Sequence, residues 1–251
     1  MISMSHKQKR VSRRVVDVPH CGRIVPDNWI YYCSDACLRR GEDRYVDLLI
    51  DPSLLSAQDC LKGHFSRVYL DLNAAPNDIW LPEWEMFQPL HALRGRGFIW
   101  SWCRGSFVND ISTGEYQNRL RYIYQPYIQQ LTGMLTNRPI WVQVHAMQSY
   151  SSHGEHPEIC LGSLNGLSAD ALWLGQCRHY WRSLGYEVTL NWPFSGGYLL
   201  KSYHTMAHRS VQIEFNKSLY LSPNDSPDMA KVERFKKHFN GFVQHLRCWG
   251  V

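Results

Sequence analysis

Within residues 209–215 apolar and polar residues alternate, Val211, Ile213 and Phe215 taking one side of an extended chain and Gln212 and Glu214 the other. That period predicts a strand with one buried face; the opposite face either aims Glu214 into a cleft or lies solvated at a sheet edge. A shorter β-favouring run spans residues 186–190 and stops at Asn191. Between the two runs, residues 193–198 contain the Gly196-Gly197 pair, which lets a backbone approach a ligand closely and predicts a shaped rim. Residues 14–18 form a β-rich run into Pro19, His20, Cys21 and Gly22, so a buried strand is expected to deliver His20 to its C-terminal loop, where α/β folds place ligands. Residues 139–144 likewise lead into His145, and residues 67–72 read as a further strand with Asp71 and Asn73 at its end.

Helical spacing marks residues 35–50, with Leu38, Val46, Leu49 and Ile50 apolar and Glu42, Asp43, Arg44 and Asp47 on the other side. It also marks residues 115–134, which Pro126 should bend or divide, and a segment running from an N-cap at Ser168 to about residue 184. The stripe Met229, Val232, Phe235, Phe239, Phe242, Val243 and Leu246 predicts a C-terminal helix that packs on the sheet. Residues 75–113, rich in Trp, Pro and Gly, carry no clear period and read as a long loop. Strands alternating with long helices predict an α/β sandwich. A chain of 251 residues, 44% of them hydrophobic, suffices for one core, so a basic tail over residues 1–13 and a single domain over 14–251 are expected.

Composition narrows the function classes. No run of 18 or more apolar residues is present and the N-terminal segment has charge without an apolar stretch, so neither a membrane protein nor a secreted one is expected, and the cytoplasm is the anticipated compartment. Eight scattered cysteines fit reduced thiols; Cys33 and Cys37 have ligand spacing, but no second pair completes a tetrahedral site. Much of the net charge of +5 sits on Lys7, Lys9, Arg10, Arg13 and Arg14, without the interleaved aromatics of a nucleic-acid groove, so no nucleic-acid partner is expected.

His20 and His145 each follow a β run and precede small residues, and Asp43 or Glu42 lies between them in the chain. Two imidazoles and one carboxylate are a catalytic zinc set with one position left for water. Glu214 is then the candidate base, since zinc brings the pKa of its water to about 7 and a carboxylate can take the proton.

The segments VDVPHCG (16–22), EDRYVDLL (42–49), SRVYLDLN (66–73), RLRYIYQPY (119–127), VHAM (144–147), EICLGSLNG (158–166), NWPFSGGYLLKSY (191–203) and QIEFNKSLY (212–220) resemble, in the same order, those of the N-formylglutamate amidohydrolases. The resemblance implies a three-layer α/β/α sandwich with a mixed central sheet, similar to zinc-dependent exopeptidases and carboxypeptidases. It implies metal ligands at His20, at Asp43 in the EDRY segment and at His145, one Zn2+ or another divalent metal per chain, and Glu214 as catalytic base. The implied substrate is a small N-acyl amino acid whose carboxylates call for a cation; Arg119 and Lys201 are the candidates, with Asn73 and Asn191 as polar contacts.

The chain departs from the family pattern at Gln143, where an aspartate is usual, at Ala74 in place of an arginine for which Arg104 is a substitute, and at Ile128, Lys201 and His204. The metal set is retained and the specificity set is altered. A small-molecule amidohydrolase is therefore expected, the alternatives being a carboxypeptidase-like hydrolase of a peptide or cell-wall amide, with aromatic residues 80–102 lining a wider cleft, or an inactive binding protein on the same fold. Glu42 and Asp47 remain alternative ligands to Asp43, and the sequence leaves the oligomeric state open.

Overall fold

The computed structural model describes residues 14–27, 29, 34–55, 58–79, 96–103, 106–107, 111–137, 139–151 and 154–246. In chain order these form β1 (Arg14–Val18), α1 (Asp35–Gly41), β2 (Cys60–Lys62), the short hairpin β3 (Trp102–Cys103) and β4 (Ser106–Phe107), α2 (Thr113–Arg119), α3 (Gln125–Met134) and β5 (Ile140–Met147). There follow the hairpin β6 (Tyr150–Ser151) and β7 (Gly154–Glu155), then β8 (Ile159–Gly162), α4 (Ala171–Ser183), β9 (Val188–Leu190), α5 (Tyr198–Tyr203), β10 (Arg209–Asn216) and α6 (Met229–His245). The sheet order is β2-β1-β5-β10-β8-β9, parallel at every junction except β10 with β8. The expected mixed sheet is present.

Strand alternation divides the side chains between two layers. Val16, Val18, Val142, Val144, Val211, Ile213 and Phe215 share one core with Trp173 and Trp181 of α4 and with Val232, Phe235 and Phe239 of α6. Val15 and Trp141, one residue out of phase, join a second core with Tyr116, Tyr127 and Leu131 of α2 and α3 and with Leu199 and Leu200 of α5. This second face carries the chemistry. On its C-terminal half the same alternation presents Asp17, Gln143, His145, Gln212 and Glu214, with Gln143 and Gln212 side by side and His145 beside Glu214 in the β5–β10 register. No helix among the described residues is long and apolar enough to cross a membrane.

Several expectations are corrected. Residues 67–72 are not a strand; they form successive turns, with Tyr69 N–H and Leu70 N–H both donating to Ser66 O, and the edge strand is the three-residue β2 just before them. The helix expected over residues 35–50 stops at Gly41, because the chain turns at Tyr45 with φ 67° before a 3₁₀ turn, Val46–Leu49. The 115–134 helix divides as expected at Pro126: a π-helical segment, Leu120–Tyr124, separates α2 from α3, widening the coil where the proline has no N–H to give. The cap of α4 is Asp170, which accepts from Trp173 N–H, whereas Ser168 donates to Ser210 O across the sheet. His145 stands inside β5 rather than after it, two residues before the strand ends. Arg104, Cys33 and all but the last residues of the aromatic stretch 80–102 lie outside the described residues, as does the tail 1–13.

Candidate active site

Three parallel strands bring their C-terminal ends together, and a cleft of about 560 Å³ opens there. Its floor is built from His20, two residues after β1, from Asp43, in the turn after α1, and from His145 and Glu214 on β5 and β10. Asp43 is carried to the cluster by its own backbone, since its N–H donates to His20 O at 3.1 Å. One ligand atom from each of His20, Asp43 and His145 lies within 4.8 Å of the other two, and all three residues are buried. The imidazoles meet edge to face at 4.7 Å. Asp43 Oδ2 lies 3.0 Å from His145 Nδ1 and 3.5 Å from His20 Nδ1.

The surroundings of these three residues suit a cation. His20 Nε2 is held at 2.7 Å by Asp71 Oδ1, which leaves Nδ1 turned toward Asp43, buried and without a hydrogen-bond partner. A buried orphan nitrogen beside a carboxylate and a second imidazole is what a divalent ion would satisfy, with the outer nitrogen of the ring oriented by a carboxylate. Two nitrogens and one oxygen are a donor set that zinc accepts. The residues present therefore fit the metal that the sequence implied.

Charge in the site is tightly compensated. Burial works against an ionised Asp43, yet the hydrogen bond from His145 and the neighbouring His20 and Arg67 hold its carboxyl well below the usual range. Asp71 is likewise lowered despite burial, by the Arg67 guanidinium at 2.8 Å and by His20. His20 is pulled down by burial and by Arg67, but the carboxylates of Asp71 and Asp43 outweigh both and raise it. Glu214 goes the other way: burial and the proximity of Asp43 push it up to about 7, against the opposing effects of His145, Arg67 and Gln212. Two carboxylates with opposite shifts are a pattern of acid–base sites.

Among the candidate third ligands, Asp43 alone faces the imidazoles. Glu42 is taken by Ser66 Oγ and Arg44 Nε, and Asp47 pairs with Arg23 at 3.1 Å. Of the expected substrate contacts, Asn73 and Lys201 line the cleft. Arg119 and Asn191 do not. Arg119, the last residue of α2, is buried and donates to Tyr69 O at 2.7 Å and to Glu115 at 2.8 Å with its guanidinium over the Tyr69 ring, so it braces the 66–72 turns. Asn191, at φ 59°, accepts from the backbone N–H groups of Ser163 and Asn165 and shapes the turn after β8.

Arg67, Asp71 and Gln212 also line the cleft; they stand inside the segments 66–73 and 212–220 of the resemblance, which assigns them no role. The first two stand at i and i+4, a spacing that signals an ion pair on a coil and is lost when the segment is read as a strand. Beneath the cluster, Asp17 accepts from Trp141 Nε1 at 2.5 Å and from Gln143 Nε2 and Tyr127 OH at 3.3 Å each. An amide at position 143 suits this neighbour, because its N–H donates to Asp17, which an ionised carboxylate in its place could not do.

The family model for N-formylglutamate amidohydrolase matches residues 12–221. Among solved structures, the chain is similar to an N-formylglutamate amidohydrolase from Ralstonia eutropha JMP134, at TM-score 0.84 and 22% identity, covering 96% of this chain and 95% of that one. It is also similar to a gene product of Agrobacterium tumefaciens, at TM-score 0.63 and 14% identity, with 94% and 92% of the two chains covered. No curated protein matches the sequence.

Proposed function

The chain belongs to the N-formylglutamate amidohydrolase family and is an amidohydrolase; from that premise we propose that it cleaves the C–N bond of a small N-acyl amino acid with a divalent metal, zinc by its donor set, held by His20, Asp43 and His145. The observation that carries this reading is the buried, partnerless Nδ1 of His20 facing Asp43 and His145 across from Glu214. A metal bound there supplies a Lewis acid for the scissile carbonyl and a water of lowered pKa. Glu214 is the base. Its Oε1 accepts from Gln212 Nε2 at 2.8 Å, and Oε2 makes no hydrogen bond to any described residue, which leaves it to take a proton from the attacking water and return it to the departing amine nitrogen. The atoms balance: water adds as hydroxyl to the acyl carbon and as hydrogen to the amine. Arg67 sits half-buried in the cleft wall beside Asp43, placed to oppose negative charge that develops on the carbonyl oxygen. Lys201 from α5 and Arg96 also line the cleft and are the cations we assign to a substrate carboxylate.

The test is a panel of N-formyl and N-acetyl amino acids incubated with zinc-loaded protein, with the freed amino acid quantified by mass spectrometry. Hydrolysis of at least one member is expected. Glu214→Gln should reduce kcat by about 10²–10⁴-fold, the usual contribution of a positioned base, while the protein keeps its metal. Equal turnover in the variant would remove Glu214 from the chemistry.

A further inference from the structure

Two carboxamides near the floor of the cleft are each engaged at both ends. Gln212 on β10 accepts the Gly197 N–H through Oε1 at 2.7 Å and donates through Nε2 to Glu214 Oε1 at 2.8 Å. Asn73 accepts the Leu199 N–H through Oδ1 at 2.8 Å and reaches His145 Nε2 with its Nδ2 at 3.2 Å. In each case one end holds the backbone of the 197–199 segment at the cleft rim and the other holds a residue of the catalytic floor. The rim is fitted closely to these amides: a Cβ on Gly197 would stand 2.1 Å from Asn73 Nδ2, so only glycine admits the side chain. Gln212 is buried at 3% exposure, and its two bonds leave the carboxamide no freedom to rotate without losing both.

We infer that Gln212 is a positioning residue that couples the Gly197 rim to Glu214, so that substrate contact at the rim and aim of the base are set by one shared carboxamide. The inference rests on the assignment of Glu214 as base. Gln212 acts through Glu214: it fixes Oε1 of the carboxylate and thereby presents Oε2 to the cleft. A rim that shifts outward pulls the amide with it and turns the carboxylate away from the water. The two glycines at 196–197 thus serve an element tethered at Gly197 and Leu199 rather than a free loop.

The experiment has two arms. Amide hydrogen exchange at Gly197 is followed by NMR in metal-free wild type, Gln212→Met and Glu214→Ala, and steady-state kinetics are measured on zinc-loaded wild type and Gln212→Met. Methionine keeps the length and an apolar fit while removing both hydrogen bonds. Gly197 exchange should quicken about tenfold in Gln212→Met, the equivalent of one hydrogen bond, and several-fold in Glu214→Ala, although Glu214 has no bond to Gly197. In the kinetic arm kcat should fall about tenfold with KM changed far less, the signature of a lost transition-state contact rather than of substrate binding. A raised KM with unchanged kcat would reduce Gln212 to a rim anchor and overturn the coupling. Unaltered Gly197 exchange in Glu214→Ala would overturn it as well, and that variant leaves Gln212 in place should Gln212→Met fold poorly. If wild type hydrolyses no N-acyl amino acid, the amidohydrolase chemistry fails on its own account, and the exchange arm still decides whether rim and Glu214 are linked.

Discussion

Asp17 shows how a single buried carboxyl links stability to pH. Burial raises it from 3.8 to about 6, against the pull of its bonds from Trp141, Gln143 and Tyr127. Between those two values the folded protein holds a proton that the unfolded chain has released. Its contribution to stability is therefore complete below about pH 4 and is lost as pH climbs through about 6. A pKa that differs by about two between the folded and unfolded chain is worth roughly 3 kcal/mol. Urea unfolding of wild type and Asp17→Asn between pH 4 and pH 8 reads it directly, because subtracting the variant cancels Glu214, which is raised in the same direction. The difference between the two proteins should drift by about 2–3 kcal/mol against wild type as pH rises. Parallel curves would show that Asp17 keeps an ordinary pKa in the folded state.

At the scale of elements, the sheet is held by the aromatic layer between α4, α6 and β10. Trp181 has no exposed surface, stacks on Phe235 at 5.7 Å, meets Phe215 edge-on at 5.6 Å and lies tilted against Phe242 at 5.2 Å. Trp181→Ala should cost about 3–5 kcal/mol, seen as a lower urea midpoint at unchanged slope; a loss under about 1 kcal/mol would mean that the layer repacks around the gap. This layer is legible from residue order, because the period of α6 and the alternation of β10 are long and unbroken. The segment 66–72 is not. Val68, Leu70 and Leu72 repeat at every second position, as in a strand, yet they are buried from within a chain of turns closed by Ser66. A three-residue strand such as β2 offers too little sequence for any period to show. The same limit applies to the site. The candidates His20, His145 and Glu214 are legible from strand ends and motif order and do meet in the cleft, whereas the choice of Asp43 over Glu42 and Asp47 is not; Arg119 and Asn191 do not line it, since nothing local in the sequence tells a guanidinium in a cleft from one folded over a tyrosine.

Across the whole molecule, the adjacent parallel strands β1, β5 and β10 bring their C-terminal ends together, and the opposite half of the same face is sealed by α2, α3 and α5. Polar residues that would cost several kcal/mol alone in a core are arranged there as a compensated set: Asp71 with Arg67 and His20, Asp43 with both imidazoles, and Glu214 with Gln212. Among the described residues the buried nitrogen left without a hydrogen bond in that set is His20 Nδ1, and the proposed chemistry depends on what fills its place. The most direct measurement is the metal content of the purified protein by elemental mass spectrometry, beside a His20→Ala, His145→Ala double variant whose fold is checked by circular dichroism. About one zinc or other divalent ion per wild-type chain is expected, with a near-complete loss in the folded variant. Wild type that stays metal-free after incubation with zinc, or a double variant that retains its ion, would refute a metal centre at His20, Asp43 and His145.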